Sequence, residues 1–136
     1  FEVNFFSHLV ITQKIAKNMI KNKTGSIINI ASNAASEVDI GRAAYATSKA
    51  SIITFTKILA KELGSYGIRV NSISPGLTNT DMMNDGISEK IMSETIKKIP
   101  LKRVAQPDEV ANTCLFLASD LSAYITGENI YITGGY

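Results

Sequence analysis

The sequence predicts an α/β fold, a doubly wound parallel sheet that runs as helix, strand, helix, strand, two helices and strand. Three observations carry this expectation. Segments with apolar residues three and four apart alternate with short Ile-rich runs, and such alternation implies parallel strands joined by right-handed crossovers. The Ile-rich runs are nearly continuous in apolar character, as strands covered on both faces are. The composition, 45% hydrophobic and 19% charged over 136 residues, is that of one globular unit with a single core.

Phe6, Leu9, Val10, Gln13, Ala16, Lys17 and Ile20 recur at helical spacing, so a helix is expected from Asn4 to about Asn22. The run Ser26 to Ala31 (SIINIA) reads as the first strand and stops in the polar stretch Ser32 to Ser36. Ala46, Ala50, Ile53, Phe55, Leu59 and Leu63 mark a long helix from Ala43 to Leu63, closed by Gly64 and Gly67. Ile68 to Ser74 (IRVNSIS) is the second strand, and Pro75-Gly76 breaks it at its C-terminal end. A short helix is expected from Ser88 to Lys98. Another begins at Pro107, where proline suits the first helical position and Asp108 and Glu109 favour the positive end of the dipole. Ile130 to Thr133 forms the last strand before Gly134-Gly135.

Bulk properties exclude several function classes. A net charge of +2 with dispersed lysines gives no reason to expect nucleic acid or membrane partners. Cys114 is the single cysteine, so neither an intrachain disulfide nor a cysteine-based metal site is expected, and a reducing, cytoplasmic setting fits. No apolar run approaches the roughly 20 residues of a membrane-spanning helix. The chain opens at Phe1-Glu2-Val3-Asn4 without an initiator Met, as a sequence cut from something longer would.

Tyr45 and Lys49 lie four apart on the long helix, on one face, where both can meet a common ligand. Chance alone supplies roughly 0.4 such pairs in a chain of this composition, so the spacing needs context. Ser32 stands where the first strand ends, thirteen residues before Tyr45, and Asn4 lies twenty-eight before Ser32. Meeting both further offsets by chance brings the expectation to the order of 0.003.

These offsets, with YATSK, resemble the catalytic tetrad of short-chain dehydrogenases/reductases. GSIINIAS resembles the family's strand before the serine, IRVNSISPG its strand and turn, and ITGENIYITGG its closing segment, so the resemblance runs the length of the chain. It implies a Rossmann-like fold and hydride transfer between NAD or NADP and a small-molecule carbonyl or secondary alcohol. Residues 1–136 would then be the C-terminal catalytic part of one domain. The glycine-rich turn that cradles the pyrophosphate in such folds, and the second-strand end that selects NAD or NADP, do not occur in this sequence. A segment lacking them is expected to be inactive by itself, and a non-catalytic fragment or assembly module is the alternative of another class.

Hydride transfer to a carbonyl leaves negative charge on oxygen, which calls for a proton donor and a hydrogen bond aimed at that atom. An ordinary phenol ionises near pH ~10, and acting near neutrality takes about 4 kcal/mol of preferential phenolate stabilisation, for which an ammonium is a source. By the resemblance Tyr45 is the acid/base, Lys49 supplies the field and holds the nicotinamide ribose, and Ser32 orients the substrate oxygen. Asn4 supports a water-linked proton relay. Pro75, Gly76, Leu77, Thr78 and Thr80 resemble the segment that contacts nicotinamide and pyrophosphate, while Asn33 joins Ser32 and Tyr45 at the substrate. Glu37, Asp39, Arg42, Met82 and Met83 fall in loops that border the pocket in similar proteins. His8 and Cys114 are expected to be structural.

Within the family, the pattern is similar to that of 3-oxoacyl-[acyl-carrier-protein] reductases, which would make the substrate carrier-bound and the setting fatty acid biosynthesis. Lys21 and Lys23 fit a carrier-docking patch, whereas Tyr66 stands where such reductases often carry arginine. A sugar, steroid or other small-alcohol dehydrogenase is the rival reading. The resemblance also implies a homodimer or homotetramer, packed through the Asn4 and Ala43 helices and through the C-terminal helix and strand.

Overall fold

The computed structural model describes residues 1–37, 40–81 and 88–136. It contains α1 (Ser7–Asn22), β1 (Gly25–Ile30), α2 (Ala43–Leu63), β2 (Ile68–Pro75), α3 (Glu89–Lys98), α4 (Pro107–Ala118) and β3 (Asn129–Ile132). The boundaries fall within about one residue of those the spacing predicts, except at the start. There Glu2–Phe6 forms a wide π-helical turn before α1 begins at Ser7. Phe5 in that turn packs edge-on against Phe55 of α2, with ring centroids 5.7 Å apart.

The three strands are parallel in the order β1-β2-β3, with Gly25 opposite Ile68 and Ser72 opposite Asn129. Paired residues of parallel strands point to one face. Ile27 and Asn29 of β1 therefore share a face with Ile68, Val70, Ser72 and Ser74 of β2. On that face Ile68 and Val70 pack with Ala16 of α1 and with Ala60 and Leu63 of α2 as one buried cluster. Asn29 Nδ2 donates to Thr56 Oγ1 of α2 at 2.8 Å, both side chains being buried.

Ser26 and Arg69 point to the other face, and there they hold α4. Ser26 Oγ donates to the Leu117 carbonyl at 2.9 Å. The Arg69 guanidinium donates to the Leu117 carbonyl at 2.8 Å, the Ser119 carbonyl at 3.1 Å and Ser122 Oγ at 2.8 Å. A helix leaves its last carbonyls unpaired at the negative end of its dipole, so a cation there satisfies both needs.

Helices thus cover both faces, as a doubly wound sheet requires, but the expectation of right-handed crossovers throughout is corrected. The chain steps from β1 to β2 and on to β3 in the same direction, yet α2 and α4 lie on opposite faces, so the two crossovers have opposite hands. The right-handed preference reflects strand twist in a simple βαβ unit. Here α3 and α4 both stand, among the described residues, between β2 and β3, and the Arg69 grip places α4 on the face opposite α2.

The start of α4 is capped as the sequence implies. Gln106 and Glu109 form a reciprocal capping box ahead of Pro107. Glu109 also takes two bonds of 2.7 Å from the Arg103 guanidinium, and this pairing, with the Gln106 amide, lowers its carboxyl from 4.5 to about 2. A carboxylate more acidic in the folded state stabilises the fold above its unfolded pKa and loses that contribution as pH falls through the folded value. Glu109→Gln is therefore expected to flatten the decline in stability between pH 4.5 and about 2, most visibly at low salt because the pair is exposed, as read by denaturant midpoints across that range. Arg69→Met in the full-length protein is expected to cost about 2 to 3 kcal/mol and to release exchange protection at the end of α4 first.

Candidate active site

Ser32 follows β1 in an extended conformation and caps the short 3₁₀ turn Asn33–Ala35, its Oγ accepting from the Ala34 amide at 3.2 Å. A hydroxyl whose lone pair is engaged in this way still has its proton to donate. Tyr45 sits in the first turn of α2 with 44% of its surface exposed. Four residues on, Lys49 Nζ donates to the Ile30 carbonyl at 3.0 Å, the last residue of the strand that leads to Ser32. The ammonium is thereby fixed at the C-terminal end of β1, on the same side of the sheet as α2.

One cleft of about 360 Å³ opens over the C-terminal strand ends, where open α/β sheets bind ligands. Ser32, Asn33, Tyr45, Pro75, Gly76 and Leu77 all line it, with Glu37 and Arg42 on its border. Six of the expected site residues therefore meet in one place. Lys49 lies behind this lining on its Ile30 contact. Thr78 Oγ1 turns back to the Gly76 carbonyl at 3.1 Å and Thr80 Oγ1 to the Thr78 carbonyl at 3.5 Å. Asp39, Met82 and Met83 lie outside the described residues.

Asn4 is outside the cleft as well. Its Nδ2 donates at 3.2 Å to the buried Ser48 Oγ, which itself donates to the Tyr45 carbonyl at 2.7 Å. Asn4 thus grips the turn of α2 that carries both Tyr45 and Lys49. His8, one turn beyond Asn4, has its imidazole pKa held below the usual range by burial and then by the Lys49 charge. Burial pushes the Cys114 thiol up, consistent with an unreactive structural cysteine.

Spacing did not reveal the rest of the lining, which includes Ile91, Thr95 and Ile99 from α3 and its end, and Thr133 and Tyr136 beyond β3. The four-residue steps from Ile91 to Thr95 to Ile99 were a signal for one α3 face, but nothing in them says which cavity that face meets.

The donor set fits the nicotinamide-ribose end of a dinucleotide, since an ammonium, a phenol and a hydroxyl gather at the strand ends beside a cleft. A family model described as "Enoyl-(Acyl carrier protein) reductase" matches residues 1–136. The chain belongs to the short-chain dehydrogenase/reductase family. Among relatives, the 3-oxoacyl-[acyl-carrier-protein] reductase FabG of Aquifex aeolicus (strain VF5) is 43% identical over 134 residues, 98% of this chain and 54% of that protein. Among solved structures, 7α-hydroxysteroid dehydrogenase complexed with NADH and 7-oxo glycochenodeoxycholic acid superposes with a TM-score of 0.95 at 36% identity, over 97% of this chain and 52% of that one. A 3-oxoacyl-[acyl-carrier protein] reductase with bound NAD from Brucella melitensis gives 0.88 at 34% identity, over 98% and 48%. The chain spans about half the length of the relatives it matches. No helix among its described residues is long and apolar enough to cross a membrane.

The Asn4–Ser48 contact makes a direct prediction. In a double-mutant cycle of Asn4→Ala and Ser48→Ala on the full-length protein, the two losses of stability are expected to couple by about 1 kcal/mol. Strictly additive losses would show that the bond contributes nothing to seating α2.

Proposed function

We propose that this chain is the catalytic part of an NAD- or NADP-dependent oxidoreductase that interconverts a carbonyl and a secondary alcohol, of the 3-oxoacyl-[acyl-carrier-protein] reductase type. The observation that carries the proposal is the shared cleft of Ser32 and Tyr45 at the strand ends, with the Lys49 ammonium anchored just behind on the Ile30 carbonyl. The Aquifex relative supports the acyl-carrier substrate, and the NADH- and NAD-bound neighbours support the dinucleotide.

In the reduction, the Ser32 hydroxyl donates to the substrate carbonyl oxygen and fixes its position, with Asn33 beside it. A nicotinamide, when bound, would supply the hydride. As negative charge grows on the oxygen, the Tyr45 phenol donates its proton there, and the Lys49 ammonium offsets the phenolate that remains. Lys49 would also hold the nicotinamide ribose. With Asn4 Nδ2 engaged by Ser48, Asn4 Oδ1 is left to receive the water of a relay that reprotonates Tyr45. Pro75, Gly76 and Leu77 would bound the nicotinamide through backbone groups. Thr78 and Thr80 would turn from their local carbonyls to serve the pyrophosphate, whose glycine-rich turn would come from a part of the domain outside this chain.

A second reading, a hydroxysteroid or other small-alcohol dehydrogenase, is favoured by the superposition on the 7α-hydroxysteroid enzyme. Assembly as a homodimer or homotetramer is supported by exposed apolar side chains: Val10, Ile11 and Ile15 on α1, Ile58 on α2 and Tyr131 on β3.

Oxidation of NADH and NADPH by the full-length protein, with acetoacetyl thioesters set against keto-steroids and keto-sugars, separates these readings. Inertness toward every thioester alongside turnover of another carbonyl removes the acyl-carrier assignment. Tyr45→Phe is expected to lower kcat by at least about a thousandfold while dinucleotide binding, followed by fluorescence titration, survives. Retained turnover in that variant would refute the role of Tyr45.

A further inference from the structure

The cleft is lined by residues from the C-terminal ends of all three strands, and its β3 end has a role the catalytic reading leaves unassigned. Because the strand order is β1-β2-β3, Ser32 enters from one side, Pro75 to Leu77 from the middle, and Tyr136 from the other side. Two strand spacings separate the β1 and β3 ends by about 10 Å.

The turn that carries Tyr136 is clamped. Gly134 and Gly135 adopt left-handed conformations, with φ of 67° and 93°. A Cβ at Gly134 would lie 2.9 Å from Ile99 Cγ2, and one at Gly135 would lie 2.9 Å from Pro100 Cγ. The two glycines thus let the turn lie directly against the end of α3, where the Leu101 amide donates to the Gly134 carbonyl at 3.2 Å. The Tyr136 amide closes the turn onto the Thr133 carbonyl at 3.4 Å. Tyr136 leaves this seat 38% exposed and lines the cleft beside Ile91, Thr95 and Ile99.

We propose that Tyr136 is a specificity-determining residue: its ring is the apolar surface on which the non-reacting tail of the substrate lies when the carbonyl is held at Ser32 and Tyr45. This rests on the carbonyl-reductase reading above. A substrate too short to cross the strand ends would not reach the ring, whereas a tail extending about 10 Å from the carbonyl would cover it. Among carbonyl substrates the site therefore favours those with a long apolar tail.

The test compares the full-length wild type with Tyr136→Ala and Tyr136→Phe on a short and a long 3-oxoacyl thioester. Tyr136→Ala is expected to raise KM for the long substrate about tenfold, with kcat and the short-substrate KM changed by less than about twofold. Tyr136→Phe keeps the ring and is expected to match wild type. An unchanged long-substrate KM in the alanine variant, an equal loss on both substrates, or a phenylalanine variant as impaired as the alanine one would each overturn the proposal. If wild type reduces no thioester but does reduce another carbonyl, the acyl-carrier reading fails, and the same comparison on a small ketone and a keto-steroid decides the role of Tyr136. Inertness toward every carbonyl would sink both.

Discussion

The seat of α2 on the sheet is the constraint on which the rest depends. Two polar contacts set it along and across β1: the buried bond from Asn29 to Thr56, and the ammonium of Lys49 on the Ile30 carbonyl. An unpaired polar group inside this core would cost on the order of 1 to 3 kcal/mol, so Asn29 and Thr56 resist any slide of the helix that would part them. Apolar packing of Ala60 and Leu63 on Ile68 and Val70 supplies attraction but would tolerate small shifts. The polar pair adds direction, and direction is what a reaction centre needs. With α2 so placed, Tyr45 enters the cleft that also takes Ser32, and the cation stands behind both.

A second layer of positioning comes from the turn before α1. Asn4 reaches Ser48, Phe5 stacks edge-on against Phe55, and His8 lies in the field of Lys49. None of these side chains lines the cleft, yet all bear on the stretch of α2 that carries or follows Tyr45 and Lys49.

The opposite face serves the site more indirectly. Arg69 and Ser26 hold the end of α4, and the segment from Leu77 to Asn79 is joined to Ala105 just before that helix. The path from β2 to β3 is therefore pinned at both ends, and α3 comes to lie across the strand termini. There it meets the Gly134-Gly135 turn and completes a cleft whose other side belongs to the start of α2. The reversal of crossover hand and the location of the pocket follow from the same grip on α4.

Much of this was legible in the residues themselves. Helical spacing, strand-ending Pro75-Gly76 and the Pro107 capping region located the elements, because propensity, capping and turn chemistry act over a few neighbouring residues. The four-residue step from Tyr45 to Lys49 put both on one face for the same local reason, and the strand-end position of Ser32 brought it toward them. What tertiary structure decided lies between distant segments: the partner of Asn4, the face that receives α4, and the entry of Ile99 and Tyr136 into the cleft. Such contacts depend on how close two backbones may come and which buried polar atoms find one another, as at Gly134 and Arg69. Those distances exist only once the sheet has formed.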